Sequence, residues 1–228
     1  MNLFVYVLIF LIGASLGSFF ELVSERLPRE QDVVFTPSHC NSCQMRICYY
    51  DLIPIFGYIN QRGRCRFCDQ TISAQSLVYE MIGGFSSCWF YYYFTDFNIY
   101  GGLLLTMLYY AAIFDQQHRY VDQIILTLMF VCTILFQYAS LRAAFIPALL
   151  AALVLIILSK ITNGLGPADI ELIIILILGY GFQTALWITL LASLFVLLSH
   201  LHHAINIEIA FIPYFYLAFL LLPVLPTS

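Results

Sequence analysis

Long apolar runs separated by short polar turns make up most of this chain. Residues 3–20 form the first, long enough to cross a hydrocarbon core of about 30 Å. Further runs of spanning length are expected at 75–94, 99–114, 120–139, 143–160, 168–184, 185–200 and 209–225. The pattern predicts an all-α fold, a polytopic membrane helix bundle of about eight transmembrane helices. No Lys or Arg precedes the first run, and its basic flank, Arg26 and Arg29, comes after it. A cleaved signal peptide has the reverse order, so a retained helix with its N-terminus outside is expected. The organisation expected is a first helix over 1–20, a soluble loop domain over 21–73, and a seven-helix membrane domain over 74–228.

Composition agrees with the pattern. With 62% hydrophobic and 10% charged residues, the chain lacks the polar surface of a soluble domain. The net charge of -4 says little about partners. No basic stretch outside the first loop is large enough for nucleic acid. Arg26, Arg29, Arg46, Arg62, Arg64 and Arg66 all fall in that loop, which the positive-inside rule places in the cytoplasm. Alternate threading puts Arg119 and Lys160 on the same side, and only Arg142 falls outside it. The same threading brings Asp115 and Asp169 both to cytoplasmic helix ends.

The loop carries Cys40-Asn41-Ser42-Cys43 and Cys65-Arg66-Phe67-Cys68. Two C-x-x-C pairs about twenty residues apart have the spacing of a tetrahedral zinc site, each pair offering two thiolates from one turn. A pair of disulfides is the competing reading, set against a reducing cytoplasm and neighbouring arginines that favour thiolates. Four cysteines leave no open coordination position, so the metal would be structural. Cys48, Cys88 and Cys132 read as spare or core thiols. His200, His202 and His203 read as residues of a helix end, where imidazoles complement the dipole, with metal binding as the alternative. The aromatic run from Trp89 to Phe94 reads as an interfacial belt.

An acid beside a membrane run is expensive, about 2.5 to 3.5 kcal/mol at full insertion. Asp169 stands directly before one such run, within Gly164-Leu165-Gly166-Pro167-Ala168-Asp169, and Asp115 ends another. Each alone reads as a helix cap, as does Asp122. Two carboxylates at one depth suit a further task, because close like charges leave one protonated as an acid while the other activates water.

Further local matches accompany these acids. The first run ends Gly17-Ser18-Phe19-Phe20-Glu21-Leu22-Val23 and continues to Arg26-Leu27-Pro28. The loop holds Asp51-Leu52-Ile53-Pro54 and Arg62-Gly63-Arg64-Cys65, and the next helix opens Leu77-Val78-Tyr79-Glu80. Ile113-Phe114-Asp115, Val121-Asp122 and Ile209-Ala210-Phe211-Ile212-Pro213-Tyr214 complete the set. Over nearly its whole length the chain resembles the type IV prepilin peptidases, membrane aspartic proteases with a G-x-G-D motif, and specifically the short Gram-positive forms that process competence pseudopilins. The resemblance implies catalysis by Asp115 and Asp169, with Asp122 as a possible supporting acid; whether Glu21 or Glu171 assists is left open by the sequence. It implies prepilin or pseudopilin substrates, removal of a short basic leader at the cytoplasmic face of the bacterial cell membrane, and N-methylation of the new terminus with S-adenosylmethionine. Ala168 replaces the glycine before the acid and is expected to lose access to positive φ. Glu171 stands where a lysine usually follows, Val121 replaces the proline before Asp122, and Glu21 replaces an asparagine. A proton-coupled transporter and a non-catalytic membrane zinc adaptor are the alternatives. The first would need acids nearer the bilayer midplane, and the second would need the cysteines but not the acids.

Overall fold

The computed structural model describes residues 3–93, 98–162, 165–200 and 209–224. Every expected run contains a helix: α1 (Leu3–Arg26), α3 (Gln75–Tyr93), α4 (Ile99–His118), α5 (Gln123–Phe136), α6 (Leu141–Thr162), α7 (Pro167–Tyr180), α8 (Phe182–His200) and α9 (Ile212–Leu220). A short α2 (Phe56–Asn60) lies inside the polar loop. Among the described residues there is no strand, only the isolated bridges His39–Arg46 and Arg64–Thr71.

Among the described residues three segments, Leu3–Arg29, Leu141–Thr162 and Phe182–Ser199, are long and apolar enough to cross a membrane. α5, α7 and α9 are shorter than the runs that hold them. The 14 residues of α7 rise about 21 Å, because Gly181 at φ +86 ends the helix and its N–H closes on Ile177. α5 starts late, after left-handed Arg119 and the Asp122 cap, and α9 has only nine residues. His202 and His203 lie outside the described residues, as does the side chain of His200.

The chain folds as two compact units, Met1–Thr95 and Asp96–Ser228. In the first, α1 packs along α3. Small residues let the backbones meet: a Cβ on Gly13 would lie 2.2 Å from the Gly83 carbonyl oxygen, and one on Gly84 would strike the Phe10 ring at 2.6 Å. Close approach through glycine is how helices associate where lipid removes the hydrophobic drive. Above this pair sits the loop, tied down by buried Arg26, whose guanidinium donates to the carbonyls of Asp32, Thr36 and Pro37 at 3.0, 2.8 and 3.3 Å.

In the second unit α4 packs on α5 and α9, α8 joins α9 to α7, and α7 meets α5, so these five helices close a ring. α6 leans on the outside against α7 and α8 and buries only Ala144 and Ala148. α4 and α7 are the interior helices. Residues 111–115 of α4 and 175–179 of α7 are buried without interruption, as expected for helices apolar all round. The two acid-bearing helices are therefore the core of this unit.

Candidate active site and metal centre

α4 and α7 run antiparallel. The Tyr100 hydroxyl, near the start of α4, occupies the space a Cβ on Gly179 would need, and the Tyr100 and Tyr180 rings stand 5.4 Å apart. From that crossing, Asp115 lies about 22 Å along α4 and Asp169 about 15 Å back along α7 at the standard helical rise. Side chains lean towards the N-terminus of their helix. Asp115 thus leans back towards the crossing and Asp169 away from it, which narrows the axial offset. The two carboxylates lie within electrostatic reach of each other.

Each acid is held by backbone. Asp115, 7% exposed in the last turn of α4, accepts the Ile212 N–H at 3.1 Å, so its carboxylate meets the positive end of α9. Asp169 is the third residue of α7, and its Oδ2 accepts the Gly166 N–H at 3.3 Å. This is the carboxylate half of a capping box; glycine has no side chain to supply the other half. Pro167 at the first helical position sets the start of the helix.

The glycine has a reason other than backbone freedom. Gly166 is extended, at φ -71 and ψ 152, a conformation any residue adopts. A Cβ there would lie 3.2 Å from Asp169 Oδ2, so what the carboxylate uses is the missing side chain. Ala168 sits inside the first helical turn and is absent from the positive-φ positions. The expected loss of a left-handed conformation does not arise, because none is used there.

The other acids are placed apart from this pair. Asp122 caps α5, accepting the Ile124 N–H at 2.9 Å. Glu171 accepts the Gln123 amide at 2.8 Å and so ties α7 to α5. Glu21 belongs to the first unit, hydrogen-bonded to Ser76 and within electrostatic reach of Glu80. The Ile212 donor was invisible in the sequence, since a backbone N–H has no side-chain signature. The Ile212-Pro213 step was the one available pointer to that segment.

The four loop cysteines converge, with ligand atoms all within 4.8 Å of one another. Each pair sits in the same hairpin knuckle. Cys40 and Cys65 donate their N–H groups to Met45 and Gln70, and receive those of Gln44 and Asp69. Gln44 and Asp69, each four residues after its cysteine, are left-handed at φ 58. The Sγ atoms of Cys40 and Cys68 are 3.8 Å apart and those of Cys43 and Cys65 3.9 Å. A tetrahedron with bonds of about 2.3 Å has edges of about 3.8 Å, whereas a disulfide needs about 2.05 Å. Backbone N–H groups of Cys43 and Ser42 pull the Cys40 thiol down to about 6, whereas the Cys68 thiol, in spite of the Gln70 N–H, is pushed up to about 12 by desolvation and by its hydrogen bonds to the other three cysteines. The donor set fits one zinc ion. A bidentate ion pair from Arg66 to Asp51, at 3.1 and 2.9 Å, ties the second knuckle to the segment before α2. Cys48, Cys88 and Cys132 stand outside the cluster, with Cys88 turned to the Tyr6 carbonyl at 3.5 Å.

Comparison with known proteins matches the two units in chain order. Residues 11–94 match the bacterial peptidase A24 N-terminal domain, and residues 102–201, which include both acids, match the type IV leader peptidase family. Similar proteins carry the name prepilin leader peptidase/N-methyltransferase. One from Myxococcus xanthus is 30% identical over 49% of this chain and 34% of its own length. One from Vibrio cholerae is 33% identical over 34% of each chain, and one from Bacillus subtilis 29% identical over 33% of this chain and 30% of its own. Each match thus spans about a third of the relative's length. No solved structure matches. With its two units matched by the N-terminal and peptidase regions of one group, the chain belongs to the type IV leader peptidase family.

Proposed function

We propose that the protein is a multi-pass membrane aspartic endopeptidase that removes the short basic leader from type IV prepilins or competence pseudopilins. The observation that carries this reading is that Asp115, in the last turn of α4, and Asp169, in the first turn of α7, lie within electrostatic reach of each other inside the segment matched by the peptidase family. Eight helices crossing the cell membrane, with the N-terminus outside and the cysteine loop in the cytoplasm, complete the proposal. The arginine distribution supports this orientation.

The chemistry needs only the chain's own carboxylates and water. One carboxylate takes a proton from water as the water oxygen bonds to the scissile carbonyl carbon, and its partner's proton passes to the amide nitrogen as the C–N bond breaks. The Ile212 and Gly166 N–H groups orient the two acids. Cys40, Cys43, Cys65 and Cys68 would hold a zinc ion that folds the loop and takes no part in the reaction. N-methylation of the new terminus from S-adenosylmethionine is part of the proposal, carried by the names of the relatives.

Separate Asp115→Asn and Asp169→Asn variants, co-expressed with a leader-bearing pseudopilin, provide the test. Both are expected to accumulate unprocessed substrate on a gel while remaining folded in the membrane. Normal processing by either folded variant would sink the two-acid mechanism.

A further inference from the structure

One segment of the cysteine loop reaches back along α1 and α3. These helices run antiparallel in a single register: Tyr6 meets Tyr91, Phe10 meets Phe85, Gly13 meets Gly83 and Glu21 meets Ser76. That register sets Glu80 level with Gly17, about 14 Å before the Arg26 end of α1. Glu80 accepts the Ile55 N–H at 2.6 Å. A helical side chain leans towards the start of its own helix, so Ile55 stands roughly 10 Å inside the end of α1. It is therefore level with the close of the apolar run 3–20. With α1 crossing a membrane, that level is the boundary between hydrocarbon and headgroups.

The segment at this level has the side chains of such a boundary. Ile55 leads into α2, whose Gly57 is turned to the Asp51 backbone with no room for a Cβ between them. Phe56 and Ile59, which share a side of the helix at i and i+3, are left 63% and 61% exposed. Tyr49 and Tyr50 are exposed as well, on the helical turn Tyr49–Leu52 that packs against α2. Exposed apolar side chains grouped on adjoining turns mark an interaction surface. The N–H groups of Ile55, Phe56, Gly57, Ile59 and Gln61 all have partners within the protein, as backbone beside hydrocarbon requires.

Arginines edge the same surface. Arg46 donates to the Tyr49 hydroxyl at 2.6 Å and lies 5.1 Å from the centre of that ring, and Arg66 lies 5.1 Å from the centre of the Tyr50 ring. Asp69 and Asp51 pair with Arg64 and Arg66. Among the described residues Arg46 and Arg62, the latter just past α2, form no ion pair. Tyrosine beside arginine is the composition of a protein surface at headgroup level, and excess positive charge there complements anionic lipid.

We propose that α2 and the turn before it anchor the cysteine loop on the membrane that α1 crosses. Phe56 and Ile59 dip to the hydrocarbon edge, while Tyr49, Tyr50, Arg46 and Arg62 sit among anionic headgroups. This rests on the reading of α1 as a crossing helix and on neither the peptidase nor the methylation reading.

Full-length, zinc-loaded protein is placed in nanodiscs of phosphatidylcholine and phosphatidylglycerol with acyl chains brominated near the headgroup, and tryptophan emission is read against unbrominated discs. The chain's own Trp89 and Trp187, in α3 and α8, report insertion of the helices. After subtraction of the wild-type signal, Phe56→Trp and Ile59→Trp are each expected to lose about half or more of their added emission to bromine. Asn41→Trp, on the first knuckle, is expected to lose little. The loss at position 56 is expected to shrink in phosphatidylcholine alone and when Arg46→Gln and Arg62→Gln are combined. Zinc content equal to wild type shows that the loop is folded. Full emission from both added tryptophans in folded protein overturns the inference. So does shielding from aqueous quencher without quenching by lipid, which assigns the surface to a second copy of the chain or another protein. Equal loss in both lipids, unchanged by the arginine substitutions, overturns the assignment to anionic headgroups. Quenching of Trp89 and Trp187 with none at 56 and 59 ends this inference and leaves the crossing helices standing, whereas unquenched wild type sinks the crossing reading itself.

Discussion

Gly166 offers the sharpest test of how Asp169 is held. Replacing it with alanine introduces a Cβ that would lie 3.2 Å from Oδ2 and 3.9 Å from Cγ of that carboxylate, so the acid must give by a few tenths of an ångström. The backbone at φ -71 and ψ 152 accepts alanine without strain. On stability, the gain of about 0.4 to 1 kcal/mol from a less flexible unfolded chain is offset by alanine's poorer N-cap at the start of α7, so Gly166→Ala should leave stability close to unchanged. On activity it should lose. A misplacement of about 1 Å costs about a hundredfold in rate, so a shift of about a third of that predicts a three- to tenfold fall in kcat/KM. The companion Ala168→Gly restores the family's usual residue inside a helical turn. It should cost about 1 kcal/mol of stability and gain no activity, because the position is not left-handed. Cleavage of a leader-bearing substrate in proteoliposomes, beside thermal unfolding of the same preparations, reads both quantities. Wild-type kcat/KM in Gly166→Ala, or faster cleavage by Ala168→Gly, would refute the reasoning.

Two further outcomes concern the loop. Metal analysis of purified protein is expected to give about one zinc per chain, and Cys65→Ser, which alters the most buried ligand, should lower it sharply and expose residues 32–72 to limited proteolysis, since metal affinity is folding free energy here. Metal-free wild type with Cys40 joined to Cys65 by a disulfide would favour the competing reading. Arg26→Gln leaves up to three loop carbonyls without their donor and should weaken the loop by about 2 to 3 kcal/mol, seen as faster cleavage near residues 32–37. Unchanged proteolysis would show that the guanidinium contacts carry no stability.

Much of the candidate site was legible because its chemistry resides in side chains that stand out against their surroundings. Acids beside apolar runs and cysteines paired at C-x-x-C spacing mark themselves in any chain this hydrophobic. The knuckle hydrogen bonds and the 3.8 Å sulfur separation follow from that spacing. The reason for the motif glycine was not legible. Sequence reasoning looked for positive φ, whereas the structure uses Gly166 for space against a carboxylate.

From the sequence alone came the positions of the helical runs, the polar loop with its candidate metal ligands, and the two acids that bound their runs. These depend on local properties: hydrophobic length, residue type and spacing. The tertiary structure decided which helices are interior, that α3 belongs with α1, that α9 supplies a donor to Asp115, and that Glu80 holds the Ile55 backbone beside α3. Helices apolar all round have no polar stripe to say which side faces lipid and which faces protein. Their neighbours are chosen by the fit of small residues and by backbone groups at helix ends, and both become visible only when the chain is folded.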